Sequence, residues 1–108
     1  MAEEKEFETK IKKYLDKKGI RRLGKYQDGD IGWYLKIWGN RFMPSGIPDM
    51  FIVIKGKFIA VELKAPKGRL SDLQKEKIAQ IQNTGSEALV VRPDDFEDFC
   101  AWIDRKVE

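Results

Sequence analysis

The sequence has no histidine and a single cysteine, Cys100. Without histidine there can be no Ser-His-Asp triad, no Cys-His nucleophile pair and no His-ligated zinc. One cysteine cannot close an internal disulfide, and no C-x-x-C zinc pattern occurs. This usage suits a reducing cytosol and reads Cys100 as a small core residue. Long apolar runs are also lacking. The longest, Met50 to Ile54, falls far short of the roughly 20 residues a membrane span needs. The first ten residues are charged and carry no apolar stretch of the secretory kind. The expectation is a cytoplasmic protein without a membrane partner. Any enzyme here must work with carboxylates, lysines, hydroxyls, amides or a hard metal ion.

What remains is ordinary in amount and uneven in arrangement. The 108 residues are 42% hydrophobic, which predicts one globular domain over 1–108 with no room for a second core. Lys and Arg number 21 against 18 acids, a net charge of +3. Between Lys55 and Arg69 five bases (Lys55, Lys57, Lys64, Lys67, Arg69) face one acid, Glu62. Between Asp94 and Glu108 six acids face two bases. A basic middle and an acidic tail let one side meet a polyanion, although solvated surface charge accounts for the same pattern.

Periodicity supplies the elements. Phe7, Ile11, Tyr14 and Leu15 make one helical stripe, which Gly19 ends. Residues 21–32 read as a loop with room for a short extended piece, and Trp33 to Trp38 as a strand in which Trp33, Tyr34 and Trp38 pack in the core or on the sheet. Residues 39–48 are an irregular connection. Met50 to Ile54 and Phe58 to Lys64 form a hairpin around Lys55-Gly56-Lys57. A capping box, Ser71-x-x-Gln74, opens a second helix with Leu73, Ile78 and Ile81 inward. Ala88 to Val91 is a short buried strand, and Pro93 starts a last helix with Phe96, Phe99, Cys100 and Ile103 inward. The fold class is α/β: a mixed sheet between helices, with a parallel βαβ crossover linking the last two strands.

The return strand ends oddly. Period two puts Ala60, Glu62 and Lys64 on one face, so an acid and a base about 7 Å apart close a half-buried strand. With a two-residue Lys55-Gly56 loop, paired positions sum to 111 and Asp49 lies opposite Glu62, Cβ atoms about 5 Å apart. A three-residue loop puts Asp49 opposite Leu63, on the wrong face. Two carboxylates so close cannot both ionise unless a cation sits between them. Mg²⁺, or Mn²⁺ in its place, suits such an oxygen site, and Lys64 could orient a water and balance charge on a phosphorane-like transition state.

Gly46-Ile47-Pro48-Asp49, a hairpin, Glu62-Leu63-Lys64 and then Gln74, in that order, resemble the PD-(D/E)xK nucleases. The stretch from about residue 6 to 92 resembles the small standalone VRR-NUC domain found in phages. The resemblance implies a restriction-endonuclease-like αβββαβ core with an extra C-terminal helix. It implies a Mg²⁺-dependent deoxyribonuclease in a bacterial or phage-infected cell. Asp49, Glu62 and the Leu63 carbonyl would hold the metal, with Glu8 on the first helix as a further acid and Glu4 in reserve. Lys64 would be catalytic, and Gln74 would stand beside it or the scissile phosphate. Lys55, Lys57, Lys67 and Arg69 would contact DNA at or near the rim of the site. By the same analogy the substrate is branched or Holliday-junction DNA and the protein a homodimer. A flap or restriction-like nuclease, or a nuclease-fold DNA-binding module without catalysis, is the alternative. Each residue also has a plain structural reading: Asp49 as a turn residue after Pro48, Gln74 as a helix cap, and Glu8 as an i,i+4 partner of Lys12.

Overall fold

The computed structural model describes residues 2–108. Helix α1 (Ala2–Lys17) is followed by strands β1 (Ile20–Arg22), β2 (Gly32–Lys36), β3 (Met50–Ile54) and β4 (Lys57–Leu63). Helix α2 (Asp72–Asn83), strand β5 (Glu87–Val91) and helix α3 (Phe96–Val107) complete the chain. The five strands lie in sequence order in one sheet. The central pairs β2–β3 and β3–β4 are antiparallel, and the outer pairs β1–β2 and β4–β5 are parallel. This is the expected mixed sheet, and the short extended piece allowed for in residues 21–32 is β1, which starts one residue earlier and pairs at the sheet edge. Three residues with two arginines carry too short a pattern to read, and pairing with β2 makes the strand.

Alternation assigns the two faces. Met50, Ile52 and Ile54 of β3, with Ile59 and Val61 of β4, are buried against Phe7, Ile11 and Leu15 of α1 and Phe99 and Ile103 of α3. Each large aliphatic side chain sealed this way contributes about 1.5–3 kcal/mol. Tyr14 ties the two helices, its hydroxyl reaching the Cys100 carbonyl (3.1 Å) and the Asp104 carboxylate. On the opposite face α2 lays Ile78 over Ala60 and Ala88, with Phe51, Phe58 and Ile81 around them. Leu73 is not part of this face and stands 47% exposed. Five residues separate it from Ile78, which at 100° per residue turns it about 140° away.

The connection 37–49 runs from β2 to β3 and is pinned to α2 by Gly46. Its φ is +88°, and a Cβ there would stand 2.5 Å from the Leu73 carbonyl carbon and oxygen and 2.8 Å from the Gln74 nitrogen. Only a residue without a side chain lets this loop lie against the start of α2. Pro48, two residues on, is fully buried. The helix that carries Gln74 and the loop that delivers Asp49 are thus packed backbone to backbone.

A paired substitution tests that contact. Gly85 also has positive φ (+95°), but nothing lies within 4 Å of where a Cβ would stand. Gly85→Ala should cost about 1–2 kcal/mol, the backbone term alone. Gly46→Ala should cost clearly more in urea unfolding, because backbone atoms must also shift. Equal losses at the two positions would contradict the close packing.

Candidate metal centre

The hairpin turn sets the geometry of the site. Lys55 and Gly56 both have positive φ, +50° and +82°, the two-residue turn whose twist matches antiparallel strands. The pairs run from Ile54 with Lys57 to Met50 with Val61. Their sums are 111, the register that puts Asp49 level with Glu62. Asp49 follows the last ladder pair, and its Oδ2 accepts a hydrogen bond from the Leu63 amide at 2.8 Å. That bond fixes the carboxyl group at the end of β4.

Glu62 is the buried charged residue among the described residues, 3% exposed. Two side chains hold its Oε2: the Gln74 amide donates to it at 3.1 Å, and the Lys64 ammonium lies 3.6 Å away. Gln74 is fixed at its other end. Its Oε1 accepts from the Ser71 amide (2.8 Å), while its own backbone N–H donates to the Ser71 hydroxyl (3.1 Å). The capping box and the contact to the acid are therefore one arrangement, and both readings of Gln74 hold. Burial pushes the Glu62 carboxyl up to about 7 from an ordinary 4.5. The negative charge of Asp49 adds to this, and Lys64 opposes it.

A cleft of about 440 Å³ opens over the pair, lined by Glu4, Glu8, Lys36, Trp38, Asp49, Glu62, Leu63, Lys64 and Gln74 among others. Every residue that the sequence assigned to metal or catalysis reaches this cleft. Among the described residues no group of three or more acidic, cysteine or histidine side chains is arranged to hold a metal. The acid count at the centre is two. Glu8 lies in the same cleft, but its oxygens are taken by Lys36 and by Lys12, the latter at 2.9 Å. Burial would raise the Glu8 carboxyl; hydrogen bonds and charge from Lys36 and Lys12 together outweigh it and hold it low. The donor set still fits a hard divalent cation. Two carboxylates stand together, one of them too buried to ionise readily, with a single lysine to offset their charge.

The basic residues divide into two groups. Lys67 and Arg69 are exposed on the loop that follows β4, at the same end of the sheet as the cleft. Lys55 and Lys57 are not at the rim. They occupy the hairpin turn, about 16 Å along the strand from Glu62, beside Trp102 and Arg105 of α3. The Lys55 ammonium there donates to the Glu108 carbonyl at 3.0 Å. A hairpin separates its turn from its open end, so proximity in sequence to Glu62 misled. Three cleft residues were missed, Lys5, Lys36 and Trp38. Lys36 reaches Glu8 from β2, and Trp38 is 72% exposed on the cleft wall instead of packed in the core. Continuing the period of Tyr34 through Lys36 to Trp38 would have put both on the α1 face, beyond the last residue that α1 covers.

Residues 5–95 match the VRR-NUC domain family, so the match stops where α3 begins. No curated protein matches the chain.

The raised Glu62 carboxyl makes metal-free stability depend on pH. Because its folded value lies above the ordinary one, the folded state holds the proton more tightly, and stability present below about 4.5 is lost as pH rises toward 7. In chelator, the protein should lose roughly 2–3 kcal/mol between pH 5 and 8 relative to Glu62→Gln. Chemical unfolding of both proteins at the two pH values checks this, and parallel pH profiles would contradict it.

Proposed function

The chain belongs to the VRR-NUC family, a family of nuclease domains, and on that premise we propose that it is a metal-dependent DNA endonuclease. The observation that carries the reading is the buried Glu62 carboxyl, set against Asp49 and held by Gln74 and Lys64. A carboxyl pair kept in that state is costly unless a cation relieves it. Asp49 and Glu62 hold the ion, with the Leu63 carbonyl as a third ligand. Mg²⁺, or Mn²⁺ in its place, supplies a Lewis acid on the phosphoryl oxygen and a more acidic water.

The protein's own groups then have separate tasks. Asp49 is held at the mouth of the cleft by the Leu63 amide, which donates to its Oδ2. Gln74 fixes the orientation of Glu62 through the helix cap. Lys64 orients the attacking water and offsets charge that develops on the phosphoryl oxygens. Water adds to phosphorus as the bond to the 3′ oxygen breaks, leaving a 5′-phosphate and a 3′-hydroxyl. Lys67 and Arg69 neutralise flanking phosphates, and Lys55 and Lys57 could meet only a longer stretch of backbone. Glu8 orders Lys36 here, and it is free to turn to the ion only if Lys36 and Lys12 release it. A chain of 108 residues offers little surface to DNA. We take the substrate to be branched or Holliday-junction DNA, cut by a homodimer in the cytoplasm of a bacterial or phage-infected cell.

Cleavage of four-way junctions, flaps and plain duplex with and without Mg²⁺ tests the reading. Lys64→Ala should slow cleavage by roughly a hundred- to ten-thousandfold and retain DNA binding. Asp49→Asn should shift the Mg²⁺ titration to higher concentration. Metal-independent cleavage, or full turnover by the lysine variant, would remove these residues from the mechanism.

A further inference from the structure

The cleft has one wall that the metal chemistry does not use. Trp38 stands on it beside the carboxyl pair, and Phe42 follows four residues later on the same loop. They are 72% and 80% exposed, more than any other large apolar side chain of the described residues. Two such rings in water forgo about 1.5–3 kcal/mol each relative to burial. The loop around Phe42 is an ordered turn. The Asn40 side chain accepts from the Phe42 amide (2.8 Å) and the Asn40 carbonyl from the Met43 amide (3.1 Å), a turn that fixes the backbone on which the exposed ring stands.

Each ring has a cation over it: the Lys36 ammonium 5.7 Å from the Trp38 centroid and the Arg41 guanidinium 4.8 Å from that of Phe42. No acidic residue occurs from Lys36 to Pro48. Exposed aromatic faces interleaved with positive charge are the arrangement that binds unpaired nucleotides: bases stack on the rings and phosphates meet the cations. A buried protein partner would leave the exposed Arg41 to be desolvated, whereas a polyanion satisfies it; Lys36 is already paired with Glu8.

We propose that loop 38–43 is a stacking platform for unpaired bases next to the scissile phosphate, with Trp38 and Phe42 as its two rings. The proposal rests on the nuclease reading for its placement, since Trp38 lies on the wall of the proposed metal cleft. It adds a source of selectivity. Bases in a continuous duplex are already stacked on one another, so the rings gain nothing from them. Bases at a flap, a junction arm or a frayed end are free to move onto the rings. Structure-selective cutting then comes from this loop and not from the metal site.

Binding measured in chelator, where no cleavage occurs, tests the platform directly. Fluorescence anisotropy would compare a duplex with a duplex of the same length that carries an unpaired strand, for the wild type, Trp38→Ala, Phe42→Ala, Trp38→Phe and Leu23→Ala. Leu23 is a control, an exposed apolar residue away from the cleft. The preference for the unpaired strand should fall roughly five- to a hundredfold in each alanine variant of the loop, since stacking contributes about 1–3 kcal/mol per base. Trp38→Phe should keep most of the preference and Leu23→Ala all of it. The dependence on salt should stay the same in Trp38→Ala and Phe42→Ala, because no cation has been removed. An unchanged preference in both alanine variants would overturn the proposal. So would a shift of either variant to a smaller species on a sizing column, which would make the rings a contact between chains. Cleavage by the wild type in Mg²⁺ is scored separately. A protein that loses preference in the variants but never cuts would refute the nuclease reading and leave the platform standing.

Discussion

A carboxyl group buried at the end of β4, with a second one set against it, is the constraint around which the molecule is arranged. Glu62 cannot be there without partners, and the fold provides them from three directions. Lys64 directly follows the same strand, Asp49 directly precedes the neighbouring one, and Gln74 comes from the helix packed on that face. Each is positioned by an ordinary structural device. A type of turn open to positive φ sets the strand register, a glycine too small to clash seats the loop, and a capping box fixes the amide. The proposed chemistry asks for no strain beyond the juxtaposition of the two acids, and a cation would relieve that.

Much of this was legible in the sequence because it is local. Lys55-Gly56 sets the register arithmetic that brings Asp49 level with Glu62, and Ser71-x-x-Gln74 is a pattern of four residues. The stripe of Phe7, Ile11 and Leu15 fixes the face of α1. What could not be read depends on residues distant in the chain. Strand β1 exists because β2 is there to pair with it. Leu73 looked inward by composition and points away by helical angle. Lys55 and Lys57 are close to Glu62 in number and a strand length away in space. Glu8 was read both as a metal acid and as a partner of Lys12. The second contact, from Lys36, could be seen only once β2 was placed beside α1.

Trp38 is the most instructive difference. An aromatic residue at the end of a strand reads as core, but β2 stops at Lys36 and Trp38 lies two residues past it, beyond the helix that would cover it. The ring is left on the wall of the cleft, next to the acid pair that Pro48-Asp49 supplies. The same loop that Gly46 fastens to α2 thus carries both the first carboxylate and the exposed rings. That loop is packed against α2 at Gly46 and turns at Asn40 before it.

The central claim is that Asp49 and Glu62 together hold a divalent cation. Anomalous scattering from crystals soaked in Mn²⁺ tests it most directly. The account predicts a peak about 2.0–2.2 Å from an oxygen of each carboxylate, with Gln74 and Lys64 still beside Glu62. A soaked crystal with no ion between the two acids, or with the ion bound elsewhere in the cleft, would contradict it.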